Sequence, residues 1–229
     1  MMQKKWIGTL FLLFGTITVF GMLQLITEKS ASVMDVEQSF ILIDAGHGGK
    51  DGGATAADGT KESDLNLAIA TSLRDMLHLC GYTVQMTRTE DTAILHNDDT
   101  KQRSWKVQDM YNRLELYNLA DCTISIHQNH FSQQQYSGAQ LFYSPVHPKS
   151  KEMATCMREQ IVRLLQPNNT REIKSAGKNI FLLHNTKKPA VIVECGFLSN
   201  ADEAARLQDP VYQQQMAFAV CCGILQYAP

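Results

Sequence analysis

Three short apolar runs, each leading to a residue able to do chemistry, constrain the fold of this chain more than any other feature. FILIDA (residues 40–45) continues through a glycine to His47, CTISIH (122–127) ends at His127, and PAVIVE (189–194) ends at Glu194. Runs of this length and composition read as strands buried in a sheet. Between them the apolar period becomes helical. Leu65, Ile69, Leu73, Met76 and Cys80 recur from Ser63 until Gly81 marks a stop, and Val107, Met110, Leu114 and Tyr117 share one face of residues 103–120. Further strands are expected at 82–87, in AQLFYS (139–144) and, as a short one, in NIFLLH (179–184). Helices are expected over 149–166, 201–208 and 211–226, and a polar loop over 89–102. Strands alternating with helices predict an α/β fold, a three-layer αβα sandwich on a mostly parallel sheet, in a single domain.

In open α/β sheets ligands bind beyond the carboxyl ends of the strands. His47, His127 and Glu194 are therefore expected at one rim. Glu62 opens the helix that follows the glycine loop; the positive helix end favours its carboxylate, and the short loop returns it near His47. Two imidazoles and one carboxylate match the ligand set of a catalytic zinc ion, which keeps its fourth position for water. Zinc lowers the pKa of such a water to about 7 and polarises a carbonyl. A second, unligated carboxylate then serves as the base, and Glu194 is the candidate. Gly46, Gly48, Gly49, Gly52 and Gly53 let the backbone pass close to a metal and a substrate. Asp44 or a nearby carbonyl is the expected orienter of a ligand imidazole. GHGGKD lacks the spacing of a phosphate loop, and no G-x-G-x-x-G fingerprint is present.

The N-terminus has a different character. MMQKK is followed by 21 uncharged positions, residues 6–26, and a helix needs roughly 20 apolar residues to span a bilayer. Residues 1–30 read as an uncleaved membrane anchor in preference to a cleaved signal segment, residues 31–39 as a polar linker, and residues 40–229 as the catalytic domain. Lys4 and Lys5 would remain in the cytoplasm and the rest would be exported. The net charge of −2 and the lack of a basic stripe give no electrostatic case for nucleic acid. Six cysteines form no C-x-x-C pair; Cys80, Cys122 and Cys221 are expected as small buried hydrophobes.

The ordered segments IDAGHGGKDGGA, ESDLNL, VQMTRTED, RLELYNLADCTISIHQNHF, GAQLFYS and PAVIVECGFLSNADEAARL resemble the zinc-dependent N-acetylmuramoyl-L-alanine amidases of the type-3 class. The resemblance covers about residues 40–226. It implies a six-stranded sheet flanked by helices, Zn2+ held by His47, Glu62 and His127, and Glu194 as the catalytic carboxylate. A single catalytic domain behind an anchor, without wall-binding repeats, is similar to the CwlD-like, germination-specific subgroup of the spore cortex. Ala45 stands where many relatives have proline. The implied substrate is peptidoglycan, cut between the muramic acid lactyl group and L-alanine as the first step towards muramic-δ-lactam, on the extracytoplasmic side of the membrane or in the forespore cortex space. Alternative readings are another zinc peptidase of the cell wall, or a non-catalytic peptidoglycan-binding protein.

Other residues carry blander expectations. Arg88 and Arg113 should hold ion pairs or carbonyls. His130 should be solvated, and His78, His96, His147 and His184 should be surface or packing residues. Leu182 and Leu183 should pack in the core. One helix and a short strand between Tyr143 and Glu194 leave little room for the cleft-blocking helix that some amidases carry, so control would come from a regulatory protein partner, from location or from timing.

Overall fold

β1, Ile41–Ala45, is buried along its whole length and lies inside a six-stranded sheet of order β2-β1-β3-β6-β4-β5. The other strands are β2 (Val84–Met86), β3 (Cys122–Asn129), β4 (Gln140–Tyr143), β5 (Lys174–Ser175) and β6 (Ala190–Phe197). Every neighbouring pair is parallel except β4 with β6. The structure, a computed structural model, describes residues 39–95 and 104–228. The anchor expected over residues 1–30, the linker expected over 31–39 except for Ser39, and residues 96–102 of the polar loop expected over 89–102, His96 among them, lie outside the described residues. Among the described residues no helix is long and apolar enough to cross a membrane.

The helices are α1 (Glu62–Leu79), α2 (Trp105–Leu119), α3 (Lys149–Leu164), α4 (Phe181–Asn185), α5 (Ala201–Gln208) and α6 (Pro210–Tyr227). One face of the sheet packs against α1, α3, α5 and α6 through a large apolar cluster that includes Ile43, Ile69, Ile126, Met157, Val193 and Val220. The other face packs against α2 and α4 through a smaller cluster around Leu42, Tyr117, Leu183 and Ile192. These two layers and the sheet make the expected αβα sandwich. α1 buries Leu65, Ile69, Leu73 and Leu77, a four-residue spacing that forms one stripe. Gly81, at φ 89°, supplies the left-handed turn that ends it. The Asp209 side chain accepts from the Val211 amide and Pro210 stands at the first turn of α6, a start signal that suits proline's missing N–H.

Four local expectations are corrected. NIFLLH forms helix α4 and not a strand. Thr186 N donates to Leu182 O and His184 N to Ile180 O, both at 3.0 Å, and a short apolar run carries no period that distinguishes the two states. Tyr143 and Glu194 are consequently separated by two helices and β5. Val107 is exposed, because the buried residues of α2 are Asp109, Asn112, Arg113 and Tyr117. Cys80 is exposed at the C-terminal cap of α1, one position beyond its apolar stripe. β5 went unpredicted: its two exposed residues pair through backbone alone with Phe142 and Tyr143. Leu182 and Leu183 are buried, and His130 is exposed, as expected.

Candidate metal centre

The register of the sheet delivers the first three side chains. β1 ends at Ala45 opposite Ile126, so the following Gly46–His47 turn rises from the carboxyl edge next to the end of β3. His127 and Glu194 are direct partners across the β3–β6 pair and therefore lie on the same face of the sheet. A register shift after His127 leaves this pair at the point where the ladder loosens. Glu62 comes from the other direction, as the first residue of α1.

His47, Glu62 and His127 converge, with one ligand atom from each within 4.8 Å of the others. Glu62 Oε1 stands 3.2 Å from His47 Nε2 and 3.0 Å from His127 Nδ1. The two imidazoles meet edge to face, 4.9 Å between centroids. One carboxylate oxygen between two ring nitrogens, at the mouth of a sheet, is a donor set that fits a divalent ion. Backbone donors hold the carboxylate there: Ala54 N gives to Oε2 at 2.8 Å and Gln128 N to Oε1 at 3.1 Å. Burial opposes the charge of Glu62, but hydrogen bonds and charges from His127 and His47 keep its carboxyl far below the usual carboxylate range. Burial also works against protonation of His127, yet contact with Glu62 and the charges of Glu194 and Asp44 raise its imidazole to about 9.

Glu194 is in the opposite condition. Its Oε2 is buried and has no hydrogen-bond partner among the described residues. Burial pushes its carboxyl up to about 7 against the pull of His127; the Glu62 charge raises it and His47 lowers it. A buried, unpaired carboxylate oxygen is costly and tends to persist where chemistry uses it.

The glycine loop is shaped around these groups. A Cβ on Gly46 would come within 2.2 Å of the His127 ring. Gly53, at φ 68°, leaves room that a Cβ would fill 2.5 Å from Glu62 Oε2 and 2.7 Å from His47. His47 itself adopts φ 62°, uncommon outside glycine and typical of functional positions. Its carbonyl accepts from Arg113 Nη2 at 2.7 Å, which holds the strained turn.

Asp44 does not orient an imidazole. It accepts from Thr87 Oγ1 at 2.8 Å, Tyr117 Oη at 2.6 Å and Ser125 Oγ at 2.7 Å, and pairs with Arg113 Nη1. Its carboxylate points into the α2 layer and anchors the strand below the site. The residue beside His47 Nδ1 is Asp51, with Oδ2 at 3.2 Å and Lys106 Nζ 3.0 Å from the same oxygen. Sequence reasoning passed over Asp51 although it stands four residues after His47 in GHGGKD. It also missed Asn66, which donates to Gly46 O at 3.1 Å and Glu62 Oε1 at 3.4 Å from the next turn of α1. Arg88 spans the carbonyls of Ala45, Gly46, Ser63 and Glu90, in the role expected of it.

Comparison with known proteins places these residues in context. Residues 41–226 match the family model described as N-acetylmuramoyl-L-alanine amidase. The germination-specific N-acetylmuramoyl-L-alanine amidase of Bacillus subtilis is 38% identical over 189 residues, covering 82% of this chain and 78% of that protein. The CwlD amidase from Clostridioides difficile, solved in complex with the GerS lipoprotein, superimposes with a TM-score of 0.78 at 38% identity, over 83% of this chain and 98% of that one. The catalytic domain of the amidase CwlV from Bacillus (Paenibacillus) polymyxa var. colistinus gives a TM-score of 0.68 at 30% identity, over 83% and 98% of the two chains.

Proposed function

The chain belongs to the N-acetylmuramoyl-L-alanine amidase family, and on that premise we propose that it is a zinc-dependent hydrolase of spore-cortex peptidoglycan. The bond cut is the amide between the muramic acid lactyl group and the L-alanine of the stem peptide, which prepares the muramic acid for lactam formation by another enzyme. One observation carries the reading. A carboxylate set between two imidazoles stands beside a second carboxylate that has one oxygen buried and without a hydrogen-bond partner among the described residues.

His47, Glu62 and His127 would hold the ion. When bound, zinc supplies Lewis-acid chemistry, acidifying water and polarising an amide carbonyl. Glu194 takes the proton from the attacking water and passes it to the departing L-alanine nitrogen; the C–N bond breaks, leaving a lactyl carboxylate and a free amine. A carboxyl near neutrality suits both transfers, since it gives up a proton as readily as it takes one. Asp51 keeps the His47 ring turned with Nε2 towards Glu62. Arg113 and Arg88 hold the backbone of the turn through the carbonyls of His47 and Gly46.

Residues 1–30 are proposed as the membrane anchor and 31–39 as its linker, with the catalytic domain acting outside the cytoplasm. The uncharged stretch 6–26 supports this. A protein partner is also proposed, on the precedent of the lipoprotein-bound relative.

The Glu194→Gln variant tests the assignment. Turnover of cortex muropeptides, followed by mass spectrometry, should fall by roughly 10²–10⁴, the contribution of a positioned acid–base group, while elemental analysis finds the metal retained. Full turnover in that variant would remove Glu194 from the mechanism.

A further inference from the structure

The rim that carries Glu194 continues onto β4. Because β4 runs antiparallel to β6, its first residue, Gln140, pairs with Glu194, and the segment leading into it extends past the end of β6. There the 135–138 loop, the 165–171 loop and α5 enclose a cavity of about 550 Å³. Three of its polar side chains, Glu203, Asn169 and Gln166, are already occupied. Both oxygens of Glu203 accept from Gly138 N at 3.0 Å, and Oε2 also accepts from Phe197 N at 2.9 Å. Asn169 donates to Ala139 O, and Gln166 donates to Tyr212 Oη, both at 2.9 Å.

Arg171 differs from them. Its Nε donates to Ser137 O at 2.7 Å, and its guanidinium lies 4.6 Å from the Phe197 ring centroid and 5.5 Å from that of Tyr136. Stacking and one hydrogen bond fix the plane. Neither terminal nitrogen donates to a partner among the described residues. Arg206, on another wall, makes a 3.5 Å contact with Glu203 and lies 5.9 Å from the Tyr212 ring centroid. The cavity therefore presents two cations, and the one carboxylate in its lining is committed to backbone amides. A guanidinium with both terminal nitrogens available takes a carboxylate in two parallel hydrogen bonds.

The position fits the substrate. Phe197 lies three residues beyond Glu194, but the register shift sets these against the two steps from His127 to Asn129, and at about 3.3 Å per step the Phe197–Arg171 stack starts roughly 7 Å along the sheet from the proposed base. A peptide leaving the scissile amide advances at most about 3.3–3.6 Å per residue, so its second or third residue reaches the stack. The second residue of peptidoglycan stem peptides is glutamate of D configuration, with its α-carboxyl free or amidated.

We propose that Arg171, with Arg206 beside it, forms a subsite for an ionised carboxylate on the second residue of the stem peptide. The inference rests on the amidase reading above. Its test uses two synthetic muropeptides that differ only in that carboxyl, free or amidated, cut by the wild-type protein and by Arg171→Ala and Arg171→Lys. The wild type should favour the free acid by about tenfold in kcat/KM, mainly through KM, the scale of one charge-assisted pair. Arg171→Ala should lose the preference while still cutting the amidated substrate, and Arg171→Lys, which keeps the charge without the fork, should keep part of it. Equal rates on the two substrates in the wild type, or an undiminished preference in Arg171→Ala, overturns the subsite. Cleavage of neither substrate by the wild type overturns the amidase reading and the subsite with it.

Discussion

Glu194 shows how a single side chain is prepared by its surroundings. The sheet register sets it beside His127, burial raises its carboxyl from 4.5 to about 7, and no donor is spent on its second oxygen. To act as a base it must be ionised, and a nearby dication draws a carboxyl pKa down. The acid limb of kcat/KM should therefore fall between 4.5 and 7, with activity rising as pH increases through it. A limb above 7 would mean that another group titrates. The sign for stability runs the other way. In the metal-free protein the raised pKa favours the protonated form, so this carboxyl costs stability as pH climbs from its unfolded value towards 7. Gly46 belongs to the same scale: its missing Cβ is the space that the His127 ring occupies.

At the scale of elements, α2 explains why a glycine-rich turn stays in place. Arg113 bonds Asp109 at 2.8 Å on its own helix, pairs with Asp44 on β1, and donates to the Ala45 and His47 carbonyls. Burial opposes the charge on Asp44, but Arg113 and Tyr117 hold its carboxyl well below the usual range. Its contribution to stability is present above the unfolded value near 3.8 and is lost as pH falls below it. Replacing Arg113 with Met leaves Asp44 buried without its counter-charge, which should cost about 3–5 kcal/mol, read as a lower urea midpoint at neutral pH. A midpoint within experimental error of the wild type would show that the hydroxyls around Asp44 suffice. This helix was the least legible element. Its apolar period placed Val107 inward, whereas its buried side is polar and meaningful only once Asp44 is known to lie opposite. β1, which leads to His47, and β3 and β6, which carry His127 and Glu194, were legible because buried parallel strands write their environment as unbroken apolar runs. α4 was not, because a short apolar run has no period, and β5 was not, because its pairing uses no side chains. Asp51 was within reach through its four-residue spacing from His47; the Asp44 network required knowledge of which helix covers β1.

At the scale of the whole molecule, the sheet gathers residues separated by up to 147 positions, from His47 to Glu194, onto one edge, and the two helical layers keep that edge open. The αβα sandwich is similar to that of the amidases CwlD and CwlV, while the four side chains at the rim carry the chemistry proposed for this chain. The most direct measurement digests cortex peptidoglycan with the purified full-length protein and reads the products by mass spectrometry, with a chelator absent, present, and then overcome by added zinc. The account predicts intact stem peptides with free L-alanine amino groups and glycan bearing lactyl carboxylates, abolished by the chelator and restored by zinc. Scission at an internal peptide bond, or release that continues undiminished in the chelator, would contradict it.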